Sequence, residues 1–209
     1  MLELKDIKKY YDSTLVLDIP SLKLDNNIYW LSGANGSGKT TLLKMITGLL
    51  PFDGDITVNS TSIRKQPVIY RRKFGWAETE PLFPLFLTGA DLIHLYCNIR
   101  KAQQKEPDTL LSIYNMAGYI NKPIGAYSAG MIKKLSIVLA FIGSPEWIIL
   151  DEPFITLDAN AEALTQSLIL DKHKDANTNF IITSHQEFDD ELMQACTNIL
   201  IEKNNVIIK

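Results

Sequence analysis

Two groups of residues combine types and spacing that suit chemistry on a phosphorylated ligand. The first is the segment 33–40, GANGSGKT, which fits the pattern G-x-x-x-x-G-K-[ST] and stands between a predicted strand and a predicted helix. Glycines in such a loop let backbone N–H groups turn inward around phosphates, and the helix N-terminus adds its positive dipole end. We expect Lys39 to reach the β- and γ-phosphates and Thr40 to bind Mg²⁺. The predicted phosphate-binding residues are Asn35, Gly36, Ser37, Gly38, Lys39, Thr40 and Thr41.

The second group is a pair of adjacent carboxylates, Asp151 and Glu152, at the end of the apolar run 147–150. Ligands of doubly wound sheets bind at the carboxyl ends of the strands. We therefore expect Asp151 to approach the Mg²⁺ held by Thr40, directly or through water. Glu152 would then lie beside the γ-phosphate, where it can orient or deprotonate a water. The alternative is an acidic pair that only caps the next helix.

Strands and helices alternate along the chain in the order that these groups require. Strand patterns cover 2–7, 15–19, 28–31, 147–150 and 180–183, and helical patterns cover 39–50, 91–99 and 128–142. Pro51 is expected to end the first helix. This order predicts an α/β fold with a mostly parallel sheet and an inserted α-helical block.

Length and composition limit the classes of protein that fit. The chain has 209 residues with 46% hydrophobic residues, which predicts a single domain over 1–209. The position of the helical patterns predicts a helical subdomain at 88–143, inserted in a core formed by 1–87 and 144–209. A net charge of −3 argues against a nucleic acid partner. The two cysteines fit a reducing cytosol. The most apolar stretch, 135–142, is far shorter than the roughly 20 residues that span a membrane.

The segment 128–158 resembles the ATP-binding subunits of ABC transporters. That family has the signature Leu-Ser-Gly-Gly-Gln just upstream of its Asp-Glu pair, and residues 127–131 of this chain read Tyr-Ser-Ala-Gly-Met. The resemblance implies that Ser128 and Gly130 contact the γ-phosphate of ATP bound to a partner cassette. A hydroxyl and a backbone N–H at a helix start do form an anion site. The alternative is a serine that only caps the helix.

Further matches run along the whole chain. Tyr11 stands where the family stacks an aromatic ring on adenine, with Tyr10 as the neighbouring alternative. The segment 156–158, Thr-Leu-Asp, resembles the D-loop at the dimer seam, or is simply a helix N-cap. His185 resembles the switch histidine that hydrogen-bonds the γ-phosphate and positions the attacking water. His94 and His173 have no such context and are interpreted as structural or surface residues.

One position departs from the family pattern. Thr79 stands where the family has a glutamine that senses Mg²⁺ and the membrane subunit, and Glu78 or Glu80 is an alternative oxygen ligand there. The segment 81–89, PLFPLFLTG, is unusually apolar for a loop. In the family this region borders the groove that receives a helix of the membrane subunit, and the alternative is that it covers the protein's own core.

The resemblance implies an α/β fold: a P-loop NTPase core with a mostly parallel sheet, N-terminal antiparallel β strands and an inserted α-helical subdomain. It also implies an ATP-binding and ATP-hydrolysing subunit that uses Mg²⁺ and dimerises around ATP, with itself or with a paralogue. Glu152 and His185 are then the catalytic residues, and Thr40 and Asp151 the metal ligands. The implied partner is a membrane-embedded subunit, in a system of export type, with the cassette on the cytoplasmic face of the cell membrane. The alternatives are an ABC-type ATPase without a transport role and a slowly hydrolysing ATP-gated clamp.

Overall fold

Two β sheets form the framework of the protein, of which a computed structural model describes residues 1–103, 105–185 and 188–209. The first sheet is antiparallel and four-stranded, in the order β2-β1-β4-β5. Its strands are β1 (Leu2–Tyr11), β2 (Thr14–Leu24), β4 (Asp53–Val58) and β5 (Thr61–Ser62). Strand β2 is an edge strand, which explains how it tolerates Pro20 in its interior.

The second sheet has six strands in the order β10-β9-β3-β8-β7-β6, and all its pairs are parallel except the hairpin β9-β10. Its strands are β3 (Ile28–Ser32), β6 (Phe74–Ala77), β7 (Trp147–Asp151), β8 (Asn179–Thr183), β9 (Cys196–Glu202) and β10 (Asn205–Ile208). The predicted combination of N-terminal antiparallel strands and a mostly parallel sheet is confirmed.

The helices between these strands are α1 (Lys39–Ile46), α2 (Pro67–Arg72), α3 (Gly89–Arg100), α4 (Glu106–Ile113), α5 (Ala129–Phe141), α6 (Ala159–Ala176) and α7 (Asp190–Ala195). Helices α3, α4 and α5 form the insertion between β6 and β7. None of the helices in the described part of the chain is long and apolar enough to cross a membrane.

Helix α1 is shorter than the predicted 39–50, so that prediction is wrong for its last four residues. The reason is Gly48, whose φ of 76° is left-handed and ends the helix. Its N–H donates to the carbonyl of Met45, and the N–H of Leu49 reaches back to Lys44. A glycine cap therefore stops the helix before Pro51 is reached.

The central strands of the second sheet are buried on both faces. In β7, Trp147 and Ile149 pack into a core shared with the first sheet, whereas Ile148 and Leu150 pack into a core shared with helices α3 to α6. Such two-sided burial is typical of parallel strands and requires continuous apolar sequence. Helix α5 lies so close to β6 that a Cβ at Gly75 would stand 1.9 Å from the carbonyl oxygen of Ala140.

Candidate nucleotide-binding site

The phosphate loop connects the carboxyl end of β3 to the start of α1. Gly36 has φ 76° and Gly38 has φ 102°, a backbone region that side chains disfavour and glycine adopts freely. The Nζ of Lys39 donates to the carbonyls of Gly33 at 2.8 Å and Ala34 at 3.3 Å, so the ammonium lies inside the curl of the loop. The sequence pattern and the backbone conformation therefore agree on an anion-binding turn at a helix N-terminus.

Asp151 lies at the carboxyl end of β7 and joins the phosphate loop to the neighbouring strand. Its Oδ2 accepts a hydrogen bond from the Thr40 hydroxyl at 2.9 Å, and its Oδ1 accepts one from the Thr183 hydroxyl at 2.7 Å. The carboxylate is only 3% exposed. Because the carboxyl ends of parallel strands meet at one edge, residues more than 100 positions apart become direct neighbours.

Glu152 has φ 50°, a left-handed conformation that costs a non-glycine residue about 1–2 kcal/mol. Contacts from two directions hold it: its N–H donates to the Thr183 hydroxyl at 2.9 Å, and its Oε2 accepts from the His185 N–H at 3.2 Å. Its Oε1 lies 3.4 Å from Nε2 of His185. The structure thus brings Glu152 and His185, the two predicted catalytic residues, into contact at the edge of the sheet where the phosphate loop begins.

Two buried polar atoms at this edge are left without a hydrogen bond among the described residues: Ser37 Oγ and Glu152 Oε1. Buried polar groups are normally satisfied, so these atoms fit a site that a polar ligand completes. The oxygens of Thr40 and Asp151 are of the type that Mg²⁺ prefers. In the described part of the chain, no three His, Cys, Asp or Glu side chains form a metal site. Phosphate oxygens and water would therefore have to supply the remaining ligands of a magnesium ion.

Ser128 and Gly130 stand at the start of α5. The Ser128 hydroxyl accepts from the N–H of Met131 at 3.3 Å, so the serine does cap the helix. A Cβ at Gly130 would lie 2.9 Å from the carbonyl oxygen of Thr156, so α5 begins directly against the segment 156–158. Among the described residues, no hydrogen bond links Ser128 or Gly130 to the phosphate loop. The role that the resemblance implies for these residues, on ATP bound to a partner cassette, stays a prediction.

Asp158 caps α6, which was the alternative to a position in a D-loop at the dimer seam. Its Oδ1 accepts from the N–H of Ala161 at 2.9 Å, and its Oδ2 accepts from Nζ of Lys134 at 2.8 Å. The hydrogen bond from Lys134, followed by the one from Ala161, lowers the pKa of the Asp158 carboxyl. The cap and a position at a dimer seam are compatible, because Asp158 is exposed.

Tyr11 and Tyr10 are 48% and 43% exposed at the end of β1. The hairpin that carries them rests on the phosphate loop, since a Cβ at Gly38 would stand 3.3 Å from Cγ1 of Val16. Nζ of Lys9 lies 4.9 Å from the centre of the Tyr11 ring. Both rings are partly exposed to solvent, and stacking of adenine on Tyr11, or on Tyr10 instead, stays a prediction.

Sequence reasoning missed Lys133, which is only 2% exposed. Its Nζ donates to the carbonyls of Thr79 at 2.6 Å, Glu78 at 2.9 Å and Glu152 at 3.3 Å. Burial lowers the pKa of Lys133 to about 8, against the opposing pull of Asp151, Glu152, Glu80 and Glu78. One sequence feature could have indicated that Lys133 is buried. It lies one helical turn before Ile137, on the buried face of an apolar helix.

The apolar segment 81–89 has some side chains on the protein's own core and others exposed to solvent. Phe83 and Leu87 pack against the core, whereas Leu82, Leu85 and Phe86 are 92%, 66% and 81% exposed. Just upstream, Oε1 of Glu78 accepts from the Trp76 indole at 3.0 Å. The segment therefore covers the core and also presents an apolar surface to the outside.

Comparison with known proteins identifies the family. The family model described as ABC transporter matches residues 19–155, which is more than half of the chain. This chain belongs to the ABC transporter family. The resemblance expected from the signature and the Asp-Glu pair is thereby confirmed.

Relatives of the chain include much longer proteins. It is 31% identical over 216 residues to the human ATP-binding cassette sub-family A member 2, matching 98% of this chain but 9% of that protein. It is 32% identical over 203 residues to the uncharacterized ABC transporter ATP-binding protein YhaQ of Bacillus subtilis, matching 93% of this chain and 64% of the relative. The chain thus spans about a tenth of the first relative and just under two thirds of the second.

Solved structures share the fold. An ATP-binding subunit of an ABC transporter superposes with a TM-score of 0.88 at 26% identity, over 99% of this chain and 88% of that one. The dimeric ATP-binding cassette MJ0796 bound to ADP and Pi superposes with a TM-score of 0.85 at 19% identity, over 100% and 98% of the two chains. The second likeness concerns the fold alone, and both agree with the predicted P-loop NTPase core.

Proposed function

We propose that this ABC cassette binds and hydrolyses ATP with Mg²⁺ and drives a separate membrane-embedded subunit. The observation that carries the proposal is the arrangement around Asp151, whose carboxylate receives the hydroxyls of Thr40 and Thr183 beside the phosphate loop. Glu152 and His185 stand next to it in contact with each other. A phosphate loop, a metal-ligand pair and a water-activating pair are together the requirements of phosphoryl transfer to water.

In the proposed reaction, Lys39 and the N–H groups of the loop bind the phosphates and balance their charge. Thr40 and Asp151 would hold Mg²⁺, which would supply positive charge to balance the phosphate oxygens. Glu152 accepts a proton from, or orients, the water that attacks the γ-phosphorus. His185 holds the Glu152 carboxylate and donates toward the γ-phosphate. ADP and phosphate are the products.

We propose that two cassettes close around ATP. Residues 1–209 act as one ATPase domain, in which 1–87 and 144–209 form the core and 88–143 the helical subdomain. In each composite site the loop residues 35–41 and Tyr11 of one chain face Ser128 and Gly130 of the other. Support comes from the dimeric state of the cassette MJ0796, and among the described residues no hydrogen bond joins Ser128 or Gly130 to the phosphate loop of the same chain. A C₂ dimer creates two such sites, with an identical chain or with a paralogue.

The membrane partner is proposed to bind where apolar surface is exposed. Leu82, Leu85 and Phe86 supply that surface next to Glu78 and Glu80. A groove of about 380 Å³ is lined by Val68, Arg71, Arg72, Tyr96, Ile99 and Arg100. Exposed apolar patches are typical of protein-binding sites, and an open groove can receive a helix. This contact would hold the cassette on the cytoplasmic face of the membrane, in a system of export type.

The test is Mg²⁺-dependent ATP hydrolysis over a range of protein concentrations. We expect specific activity to rise with concentration, because two chains must meet to complete a site. Lys39→Ala should lose ATP binding, and Ser128→Ala should bind ATP but hydrolyse it slowly. ATP affinity unchanged in Lys39→Ala would remove the phosphate loop from the proposal.

Mixing the two variants tests the shared site directly. A mixed dimer has one site in which both Lys39 and Ser128 are intact, so an equal mixture should regain about a quarter of wild-type activity. No recovery, with mixed dimers shown by crosslinking, would contradict the composite site. ATP bound by the wild type without hydrolysis would instead favour the slow clamp, which the replacement of the family's glutamine by Thr79 makes the second candidate.

A further inference from the structure

Lys133 is a buried cation whose three acceptors are all main-chain carbonyls. Nζ lies 2.6 Å from the Thr79 oxygen, 2.9 Å from the Glu78 oxygen and 3.3 Å from the Glu152 oxygen. The side chain is 2% exposed, so water cannot replace these acceptors easily. A buried ammonium has three donors, and here each donor has one protein partner. Its position is therefore determined from three directions at once.

The three acceptors come from two different segments, and Lys133 itself comes from a third. Glu78 and Thr79 follow β6, Glu152 follows β7, and Lys133 belongs to helix α5. The same helix begins at Ser128, against the segment 156–158. Lys133 thus joins the helical insertion to the loop after β6 and to the residue that carries the proposed water-activating carboxylate.

Glu152 needs such contacts because its backbone is left-handed, with φ 50°. Its N–H is held by the Thr183 hydroxyl and its side chain by the His185 N–H, whereas its carbonyl is held by Lys133. Strained backbone at a functional residue persists when surrounding contacts over-determine it. Loss of the contact to the carbonyl would remove one of the contacts that hold this strained backbone, so that Glu152 could relax toward another φ and carry its carboxylate away from the water.

We propose that Lys133 is a positioning residue for ATP hydrolysis, which holds Glu152 and the segment 78–80 in a single arrangement through their carbonyls. The proposal rests on the function proposed above. Lys133 does not touch the nucleotide; it acts through Glu152. The segment 78–80 leads directly into Leu82, Leu85 and Phe86, so the contact that orders the water-activating residue also orders the start of the exposed apolar surface.

The first experiment separates turnover from ATP affinity in Lys133→Met. We expect kcat to fall roughly 10- to 100-fold, the range for a slightly misplaced catalytic group. The Kd for ATP should stay within about threefold, because the phosphate loop is unaltered. Lys133→Arg keeps the charge and the donors and should recover most of the lost kcat. A kcat for Lys133→Met within about twofold of wild type would overturn the proposal.

The matched control is Lys73→Met, which removes a partly buried lysine at the opposite end of β7. Nζ of Lys73 pairs with Glu146, and its side chain is 17% exposed. This control should lose stability but keep kcat. An equal loss of kcat in both variants would mean that Lys133 only stabilises the fold, and would overturn the proposal.

A double-mutant cycle with Glu152→Gln decides whether Lys133 acts through Glu152. If it does, Lys133→Met should cost less than about threefold in the Glu152→Gln background. The same 10- to 100-fold loss in both backgrounds would overturn the proposal. If Lys133→Met does not fold, the cycle is run with Lys133→Gln, which keeps an N–H donor without the charge. A wild type that neither binds nor hydrolyses ATP would refute the proposed function and this inference together, whereas an active wild type with additive variants refutes the inference alone.

Discussion

The two ends of strand β7 carry carboxylates in opposite circumstances. At the amino end, Glu146 pairs with the ammonium of Lys73 and accepts a hydrogen bond from Asn59 Nδ2 at 2.9 Å. At the carboxyl end, Asp151 is held by two neutral hydroxyls, those of Thr40 and Thr183. Among the described residues, no lysine or arginine nitrogen lies within 4.0 Å of the Asp151 carboxylate.

The difference shows which end of the strand is built for a ligand. A buried carboxylate that no cation touches is costly to desolvate. The Glu146 side chain is 40% exposed and already paired, whereas Asp151 is 3% exposed and is attracted by the charge of the buried Lys133 only from beyond contact distance. The carboxyl end therefore fits a bound cation such as Mg²⁺, and the amino end is a structural junction.

The largest expected contrast is between glutamines placed at the two ends. Glu152→Gln should retain ATP binding and slow hydrolysis on the order of 10²–10⁴-fold, because it removes the proposed proton acceptor. Glu146→Gln should leave hydrolysis within about twofold of wild type, since it is remote from the phosphates. Steady-state phosphate release measures both. Equal rates of hydrolysis for the two variants would contradict a catalytic role for Glu152.

The next contrast concerns the metal. At a 100-fold excess over its Kd, ATP with Mg²⁺ should stabilise the wild type by about 2.7 kcal/mol relative to the unliganded protein, and ATP with EDTA should stabilise it less. In Asp151→Asn the increment due to Mg²⁺ should largely vanish, because a neutral amide is a poor ligand for this ion. Thermal unfolding at fixed ATP, with and without Mg²⁺, measures the increment. An unchanged increment would show that Asp151 is not a ligand.

A smaller effect is expected on stability at the amino end. Lys73→Met removes the pairing of a partly exposed carboxylate and should lower the free energy of unfolding by about 1 kcal/mol. ATP affinity should not change. Urea unfolding gives the first quantity and nucleotide titration the second. Weakened ATP binding would mean that the two ends of the strand are coupled.

The last contrast is the pH dependence of stability in the wild type and in Lys133→Met. Burial lowers the pKa of Lys133 to about 8 in the folded chain, below its usual 10.5. Below pH 8 the lysine is protonated in both states, so the penalty on folding is constant there. As pH rises through 8 the folded state releases its proton before the unfolded state does, and stability increases. Between pH 8 and 9.5 the wild type should gain stability relative to Lys133→Met. A parallel dependence in the two proteins would contradict the lowered pKa.

Local patterns identified the parts of the site that are contiguous in the chain. The phosphate loop requires glycines, a lysine and a hydroxyl at consecutive positions, so segment 33–40 could be recognised directly. The pair Asp151 and Glu152 could be placed at the ligand edge, because an apolar strand ends at those residues. The glycine at 48, however, ended α1 before Pro51, since a left-handed cap competes with the helical pattern.

Contacts between distant segments could not be predicted in the same way. The helical pattern puts Lys133 on α5, but its three acceptors are main-chain carbonyls, which no residue type reveals. The apolar segment 81–89 fits two roles by sequence, and only packing decides that Phe83 and Leu87 point inward while Leu82 and Phe86 point outward.

Residue types and their spacing identify the family, the P-loop NTPase fold and the candidate phosphate and carboxylate residues, because backbone geometry at a phosphate loop depends on residues next to each other. Only the folded chain shows which groups meet at the sheet edge: the hydroxyls of Thr40 and Thr183 on the Asp151 carboxylate, and the Lys133 ammonium on the Glu152 carbonyl. Those contacts depend on strand order and helix packing, which bring two threonines 143 positions apart to the same carboxylate.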